Sequence, residues 1–214
     1  MNTAVKKFFN GFEVGEVNTY KKYIEDSEQK TISADEELLT DNEKINLNYR
    51  KINLQRRKRI EKTFKQDPEL VEIFQKFNNP QTWLVITEDW CGDSAQNLPY
   101  FVKYAEFNSN IEIIIISRDN NLEAIDSYFK SKNGRSIPKI IGFDEEGNEL
   151  FIWGARPKVA QDLVSQLKAE GYTKEQFNEH LHLWYGRNRG KELIHEMKIL
   201  FSEVLKSEEI KINS

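Results

Sequence analysis

The sequence of 214 residues predicts an α/β protein with a central mixed sheet of about four strands flanked by helices. Two observations predict this class. Short apolar segments of strand length alternate with amphipathic helical segments over residues 81–171. On both sides of that region the pattern is helical, without a strong strand signal. We therefore divide the chain into a helical N-terminal extension over 1–80, an α/β domain over 81–171 and a helical C-terminal extension over 172–214, packed on the core.

Capping signals mark the helix starts of the N-terminal extension. Residues 33–36 and 40–43 both read Ser/Thr-x-x-Glu, the spacing at which a hydroxyl and a carboxylate each bind a free helix amide. Apolar residues then recur at helical intervals over 45–64. Asp-Pro at 67–68 predicts a further short helix, because proline at the first helical position loses no hydrogen bond.

The α/β domain reads βαβα and then ββα. Strands are predicted over 83–87, 111–116, 139–143 and 149–153, and helices over 94–107, 122–129 and 159–169. The second strand is nearly all isoleucine, which is typical of a parallel strand buried on both faces. An acidic, glycine-containing segment at 144–148 predicts a hairpin turn. Beyond residue 172, two more helices are expected around a break at Gly186.

Composition and charge exclude several classes of protein. No apolar run approaches the roughly 20 residues of a membrane span. The weakly apolar start lacks a signal-peptide pattern, and one cysteine cannot form an internal disulfide, so we predict a cytoplasmic location. Residues 43–65 carry a local charge of +7, which leaves −11 for the rest of a net −4. We interpret that stretch as a solvated helix face, and the acidic remainder argues against a nucleic-acid-binding protein.

The most informative segment is Trp-Cys-Gly-Asp-Ser at 90–94, where the first predicted strand gives way to a helix. Pro99 lies eight residues after Cys91, and Pro138 lies 47 residues after it. Gly154 follows 16 residues beyond Pro138. The motif and these three spacings together are far more specific than an isolated Cys-x-x-Ser.

They resemble the active-site frame of the thioredoxin family. Residues 90–92 match the start of Trp-Cys-Gly-Pro-Cys, and Pro99 matches the proline that kinks the active-site helix. Ile-Pro at 137–138 resembles the cis pair that faces the cysteine, and Gly154 resembles the glycine that ends the last strand. The resemblance covers about residues 80–170 and implies a thioredoxin fold. It implies catalytic positions at Cys91 and Ser94, and binding positions at Trp90, Gly92, Asp93, Ile137, Pro138 and Gly154.

Three positions depart from the family pattern. Ser94 replaces the resolving cysteine, Asp93 replaces the usual middle residue, and Val85 replaces a buried aspartate that serves the resolving cysteine. A protein that never resolves its own mixed disulfide needs neither of the lost groups. The chain therefore resembles a divergent, monothiol bacterial thioredoxin-like protein.

The reactivity of Cys91 depends on how easily its thiol ionises. The start of a helix and the Ser94 hydroxyl favour the thiolate, whereas the Asp93 carboxylate disfavours it. The sequence leaves the net direction of the thiol pKa open.

Three functions follow from this pattern. In the first, Cys91 forms mixed disulfides with protein thiols or disulfides or with a low-molecular-weight thiol, and an external thiol releases them. In the second, the groove at Pro138 binds a peptide or partner protein without chemistry. In the third, Cys-Gly-Asp-Ser serves iron–sulfur handling with glutathione, as in monothiol glutaredoxins. We predict a monomer without a resident cofactor.

Two other segments are weighed as sites. His180 and His182 lie two residues apart, so on a helix they point to different faces, and we predict no metal site there. The basic, glycine-containing segment 185–191 lacks the spacing of a phosphate loop. We interpret it as a turn between two helices.

Overall fold

In a computed structural model, which describes residues 15–122, 125–126 and 134–212, the chain forms a five-stranded mixed sheet with the order β1-β3-β2-β4-β5. The strands are β1 (Val17–Thr19), β2 (Gln81–Thr87), β3 (Ile111–Ser117), β4 (Lys139–Phe143) and β5 (Glu149–Trp153). Strands β2 and β3 are parallel, and the other pairs are antiparallel. The predicted fold class is confirmed.

Seven helices with defined bounds accompany the sheet in the described residues. They are α1 (Tyr20–Ile32), α2 (Asp41–Thr63), α3 (Pro68–Gln75), α4 (Gly92–Ala105), α5 (Lys158–Ala169), α6 (Lys174–Asn188) and α7 (Lys191–Ile212). Of the helix predicted over 122–129, residues 122, 125 and 126 are helical, and the others lie outside the described residues. No helix in the described ranges is long and apolar enough to cross a membrane.

The N-terminal extension differs from its prediction at two places. Strand β1 was not predicted, because three residues paired along the edge of β3 leave too short a pattern. Ser33 ends α1 instead of starting a helix, since its amide and hydroxyl both donate to the Gln29 carbonyl. The capping box of Thr40 and Glu43 is confirmed, as is the start of α3, where Asp67 accepts the Leu70 amide at 3.1 Å.

Aromatic side chains from distant parts of the chain fill the main core. The ring of Trp83 in β2 lies parallel to the ring of Phe201 in α7, with 5.0 Å between centroids. Phe74 in α3 meets Phe201 edge-on at 4.8 Å. Helices α3 and α7 therefore share one core with the sheet. The division into 1–80, 81–171 and 172–214 stays a prediction.

The other face of the sheet carries a second apolar cluster. Leu84 and Ile86 of β2 and Ile141 of β4 are completely buried there. Cys91 and Ile137 belong to the same cluster, and the half-buried Trp90 packs against it. The cysteine of the motif is thus part of a packed apolar layer.

The break in the C-terminal extension lies at Gly190 and not at Gly186 as predicted. Helix α6 continues through Gly186 to Asn188, and its C-cap residue Arg189 has a left-handed φ of 54°. Gly190 has a φ of 80°, and a Cβ there would lie 2.4 Å from Cζ of Tyr100. The close approach of α4 therefore requires glycine at the turn, a constraint that local sequence does not express.

These two glycines give a matched test. Gly186→Ala is expected to raise the free energy of unfolding by up to about 1 kcal/mol, because alanine is the better helix former and the nearest atom is 3.9 Å away. Gly190→Ala is expected to lower it by about 2 kcal/mol or more through the positive φ and the overlap with Tyr100. Urea unfolding measures both, and equal effects of the two substitutions would contradict this assignment.

Candidate functional site at Cys91

Cys91 lies at the junction between strand β2 and helix α4. It is the N-cap residue, with extended backbone angles, and its carbonyl accepts the Ala95 amide at 3.2 Å. The helix begins at Gly92, two residues before the predicted start. The predicted strand-to-helix junction is therefore present, and the sulfur sits beside the first turn of α4.

The Ile137–Pro138 pair lies beside the cysteine, and Gly154 lies against Pro138. The Ile137–Pro138 peptide bond is cis, and the Cys91 Sγ donates to the Ile137 carbonyl oxygen at 3.3 Å. Gly154 has a φ of 126°, and a Cβ there would lie 2.0 Å from the Pro138 carbonyl oxygen. Only glycine permits this approach of β5 to β4. The following Gly154–Ala155 bond is also cis.

Helices α1 and α2 cover the cysteine. Only 7% of Cys91 is exposed, and a cavity of about 30 Å³ beside it is lined by residues of both helices, among them Tyr23 and Arg57. Two bonds fasten α2 to the loop before the motif. Arg50 Nε donates to the Asp89 carboxylate at 2.8 Å, and Asn53 Nδ2 donates to the Asp89 carbonyl oxygen at 3.1 Å.

The structure settles the direction of the Cys91 pKa. Burial, and then the nearby Asp93 carboxylate, raise the pKa of the Cys91 thiol to about 11, and hydrogen bonds from Ser94 and from backbone amides oppose this rise. The Sγ–H bond to the Ile137 carbonyl also fits a protonated thiol. The Ser94 hydroxyl lies 2.5 Å from the Thr87 hydroxyl. At rest Cys91 is a thiol, because burial affects the thiol pKa more than the start of the helix does.

The Asp93 carboxylate accepts hydrogen bonds from other side chains of the protein. Its Oδ2 accepts from Arg156 Nε at 3.0 Å and from Nη2 at 2.6 Å, and its Oδ1 accepts the Tyr185 hydroxyl at 2.6 Å. Asn97 Nδ2 donates to the same hydroxyl oxygen at 2.9 Å. Burial raises the pKa of the Asp93 carboxyl, while Arg156 and Tyr185 act in the opposite direction. The residue thus ties α4 to the segment after β5 and to α6.

Gly92 and Trp90 also contact side chains from other parts of the protein. A Cβ on Gly92 would lie 2.6 Å from Cε1 of His182, so glycine lets α6 approach the motif. The Trp90 ring faces the Arg118 guanidinium, whose carbon lies 4.9 Å from the ring centroid. Binding roles for both residues stay predictions.

Sequence reasoning missed Arg156, Tyr185 and the surroundings of His182. Burial, then the charges of Arg56 and Arg156, lower the pKa of His182 to about 3. Its Nδ1 is buried without a hydrogen-bond partner. No group of three metal-ligating side chains occurs in the described ranges. The position of Asp93 in the first turn of a buried helix could have indicated that it needs a cationic partner. No sequence spacing indicates that this partner is Arg156.

Comparison with known proteins gives the family. The Thioredoxin_9 family model, described as thioredoxin, matches residues 39–168, which is more than half of the chain. The chain belongs to this thioredoxin family. The match includes α2 and α3, so part of the predicted N-terminal extension is common to the family.

Of two similar solved structures, the first supports the fold and nothing further. A crystal structure of an HIV epitope scaffold is similar, with 19% identity and a TM-score of 0.50 over 86% of this chain and 98% of that chain. A protein of unknown function, PA1234 from Pseudomonas aeruginosa, shows 19% identity and a TM-score of 0.48 over 88% of this chain and 96% of that chain. No curated protein matches.

The lowered pKa of His182 predicts an acid-sensitive fold. Between about pH 6.5 and 3 the unfolded chain binds a proton on His182 that the folded chain does not bind, so stability is lost as the pH falls. From pH 7 to pH 5 we expect a loss of about 1–2 kcal/mol from this group.

Urea unfolding at pH 7 and pH 5 measures this loss in the wild type, His182→Gln and His180→Gln. His182→Gln should remove its share of the loss, and His180→Gln, at an exposed position, should retain it. The same decrease in wild type and His182→Gln would show that His182 is not responsible.

Proposed function

We propose that this thioredoxin-family protein carries out monothiol thiol–disulfide exchange through Cys91, with an external thiol as the resolving partner. One observation carries the proposal: the Cys91 sulfur lies at the start of α4, 3.3 Å from the carbonyl that precedes the cis Pro138. An extended substrate peptide that pairs with the backbone at Pro138 would bring its own sulfur next to Cys91.

The exchange proceeds in two balanced steps. The Cys91 thiolate attacks one sulfur of a substrate disulfide, a Cys91–substrate disulfide forms, and the other substrate sulfur leaves as a thiolate. An external thiolate then attacks the substrate sulfur of that mixed disulfide, which returns Cys91 as a thiolate and gives a new disulfide. Ser94 cannot perform the second step, because a hydroxyl does not exchange with a disulfide.

The resting structure imposes a condition on this chemistry. With a thiol pKa of about 11, only about one molecule in ten thousand carries a thiolate at pH 7. The sulfur is also covered by α1 and α2. The proposal therefore requires that these helices move away from Cys91 before the sulfur reacts, which restores solvation and lowers the thiol pKa.

A second candidate is a binding module without chemistry. The burial of Cys91 and its bond to the Ile137 carbonyl favour this candidate, because a cysteine that stays protonated behaves as a small apolar residue. Iron–sulfur handling gains no such support, since it needs an accessible thiolate ligand and Cys91 is buried as a thiol.

Alkylation of Cys91 separates the two candidates. At pH 7.5 wild-type Cys91 should react with iodoacetamide about 100-fold more slowly than an unperturbed cysteine, because little thiolate is present. The double substitution Arg50→Gln and Asn53→Ala removes the two bonds that fasten α2 to Asp89. It should speed both alkylation and mixed-disulfide formation with glutathione disulfide by about tenfold or more.

Lys51→Gln is the matched control, since Lys51 lies on the same helix and, among the described residues, pairs with the exposed Glu36 alone. It should leave both rates unchanged. If the loosened variant is folded and alkylates quickly but forms no mixed disulfide, the monothiol proposal is wrong and the binding module is the better account. Release of the adduct should accelerate with thiol concentration.

A further inference from the structure

A cleft of about 670 Å³ opens beside the cysteine site and shares with it Asn97 and Tyr185, the residues hydrogen-bonded around Asp93. It lies between the C-terminal half of α2, helix α4 and the turn from α6 to α7. None of the residues that line the small cavity at Cys91 lines this cleft. Its volume lies within the usual range of small-molecule sites.

Five cations line this cleft, and we call it the basic cleft. They come from two basic segments that are far apart in sequence: Arg59, Lys62, Lys65, Arg189 and Lys191. No Asp or Glu is among the described lining residues. Within the part of the chain that the structure describes, none of the five forms an ion pair. The Arg59 guanidinium donates to the Gln96 amide oxygen at 3.3 Å.

Carboxylates partner several cations elsewhere on α2: Arg50 pairs with Asp89, Lys51 with Glu36, and Arg57 and Lys58 with Glu28. Lys44 and Arg56 of this helix also form no ion pair within the described residues, but they lie outside the cleft. The cleft is the place where unpaired cations from two segments of the chain share one concave surface. The solvated helix face expected from the sequence is therefore half of a concave surface, which the turn after α6 completes.

Aromatic side chains form the walls of the same cleft. Phe64 and Trp184 are half-buried and can offer a ring surface to a ligand, whereas Tyr100 is buried and supports the wall of the cleft. The Phe64 and Tyr100 rings lie 6.1 Å apart. Gly190 packs closely against Tyr100, so the turn that carries Arg189 and Lys191 is held at the edge of the cleft.

We propose that the basic cleft binds a small phosphorylated ligand with an aromatic ring, of the nucleoside phosphate class. Arginine and lysine bind phosphate oxygens, and aromatic walls accept a flat base. A long polyanion fits poorly, because the chain outside residues 43–65 carries a net charge of −11. This proposal does not depend on chemistry at Cys91.

Titration calorimetry of the full chain with ADP, pyrophosphate and adenosine tests the proposal. ADP should bind with a dissociation constant below about 1 mM at 50 mM salt, and at least tenfold more weakly at 500 mM salt. Pyrophosphate should bind at least fivefold more weakly than ADP, and adenosine should not bind measurably. Cys91→Ser should bind ADP as wild type does.

Charge-matched variants identify the site. Arg59→Gln with Arg189→Gln should weaken ADP binding at least tenfold, whereas Lys58→Gln with Arg187→Gln, which removes two charges outside the cleft, should change it less than twofold. No ADP binding, equal losses in the two variants, or pyrophosphate as tight as ADP would each overturn the proposal. So would an RNA oligonucleotide that binds a hundredfold more tightly than ADP through the same arginines.

Discussion

The buried carboxylate of Asp93 is the constraint on which the arrangement of the site depends. It lies two residues after Cys91 and is satisfied by Arg156 and Tyr185, which belong to different parts of the fold. A buried charge without a partner is strongly destabilising, so the segment after β5 and helix α6 must both reach the start of α4. The close packing of His182 on Gly92 follows from the same approach of α6.

This arrangement changes what the family motif can do. In thioredoxins the position before the second cysteine need not carry a charge, whereas here Asp93 adds a negative charge beside Cys91 and contributes to the raised thiol pKa. The covering helices add the larger effect through burial. Ser94 and the fully buried Val85 stand at the positions where the family resemblance places the resolving cysteine and its buried aspartate. The cysteine therefore lies beside the cis Ile137–Pro138 pair but rests as a thiol.

The fold was predictable because its signals are local and repeated. The isoleucine-rich β3, the capping box at Thr40 and the hairpin turn before Glu149 each follow from a few adjacent residues. The cis Pro138 followed from a family resemblance. Strand β1 was not predicted, because a strand of three residues is too short to show an alternating hydrophobic pattern.

The contacts of the site could not be predicted in the same way. The partnership of Asp93 with Arg156 and Tyr185 joins residues 63 and 92 positions apart. The burial of Cys91 depends on how α1 and α2 pack over it, and the sequence therefore left its pKa open. The basic cleft likewise exists only because two separate basic segments converge.

A double-mutant cycle between Asp93 and Arg156 tests the central claim most directly. Asp93→Asn and Arg156→Met each leave one charge buried without its partner, and the double variant removes both charges. We predict that the double variant is more stable than the sum of the single losses implies, with a coupling free energy of about 2–3 kcal/mol in urea unfolding. A coupling below about 0.5 kcal/mol would contradict the claim that this ion pair holds the site together.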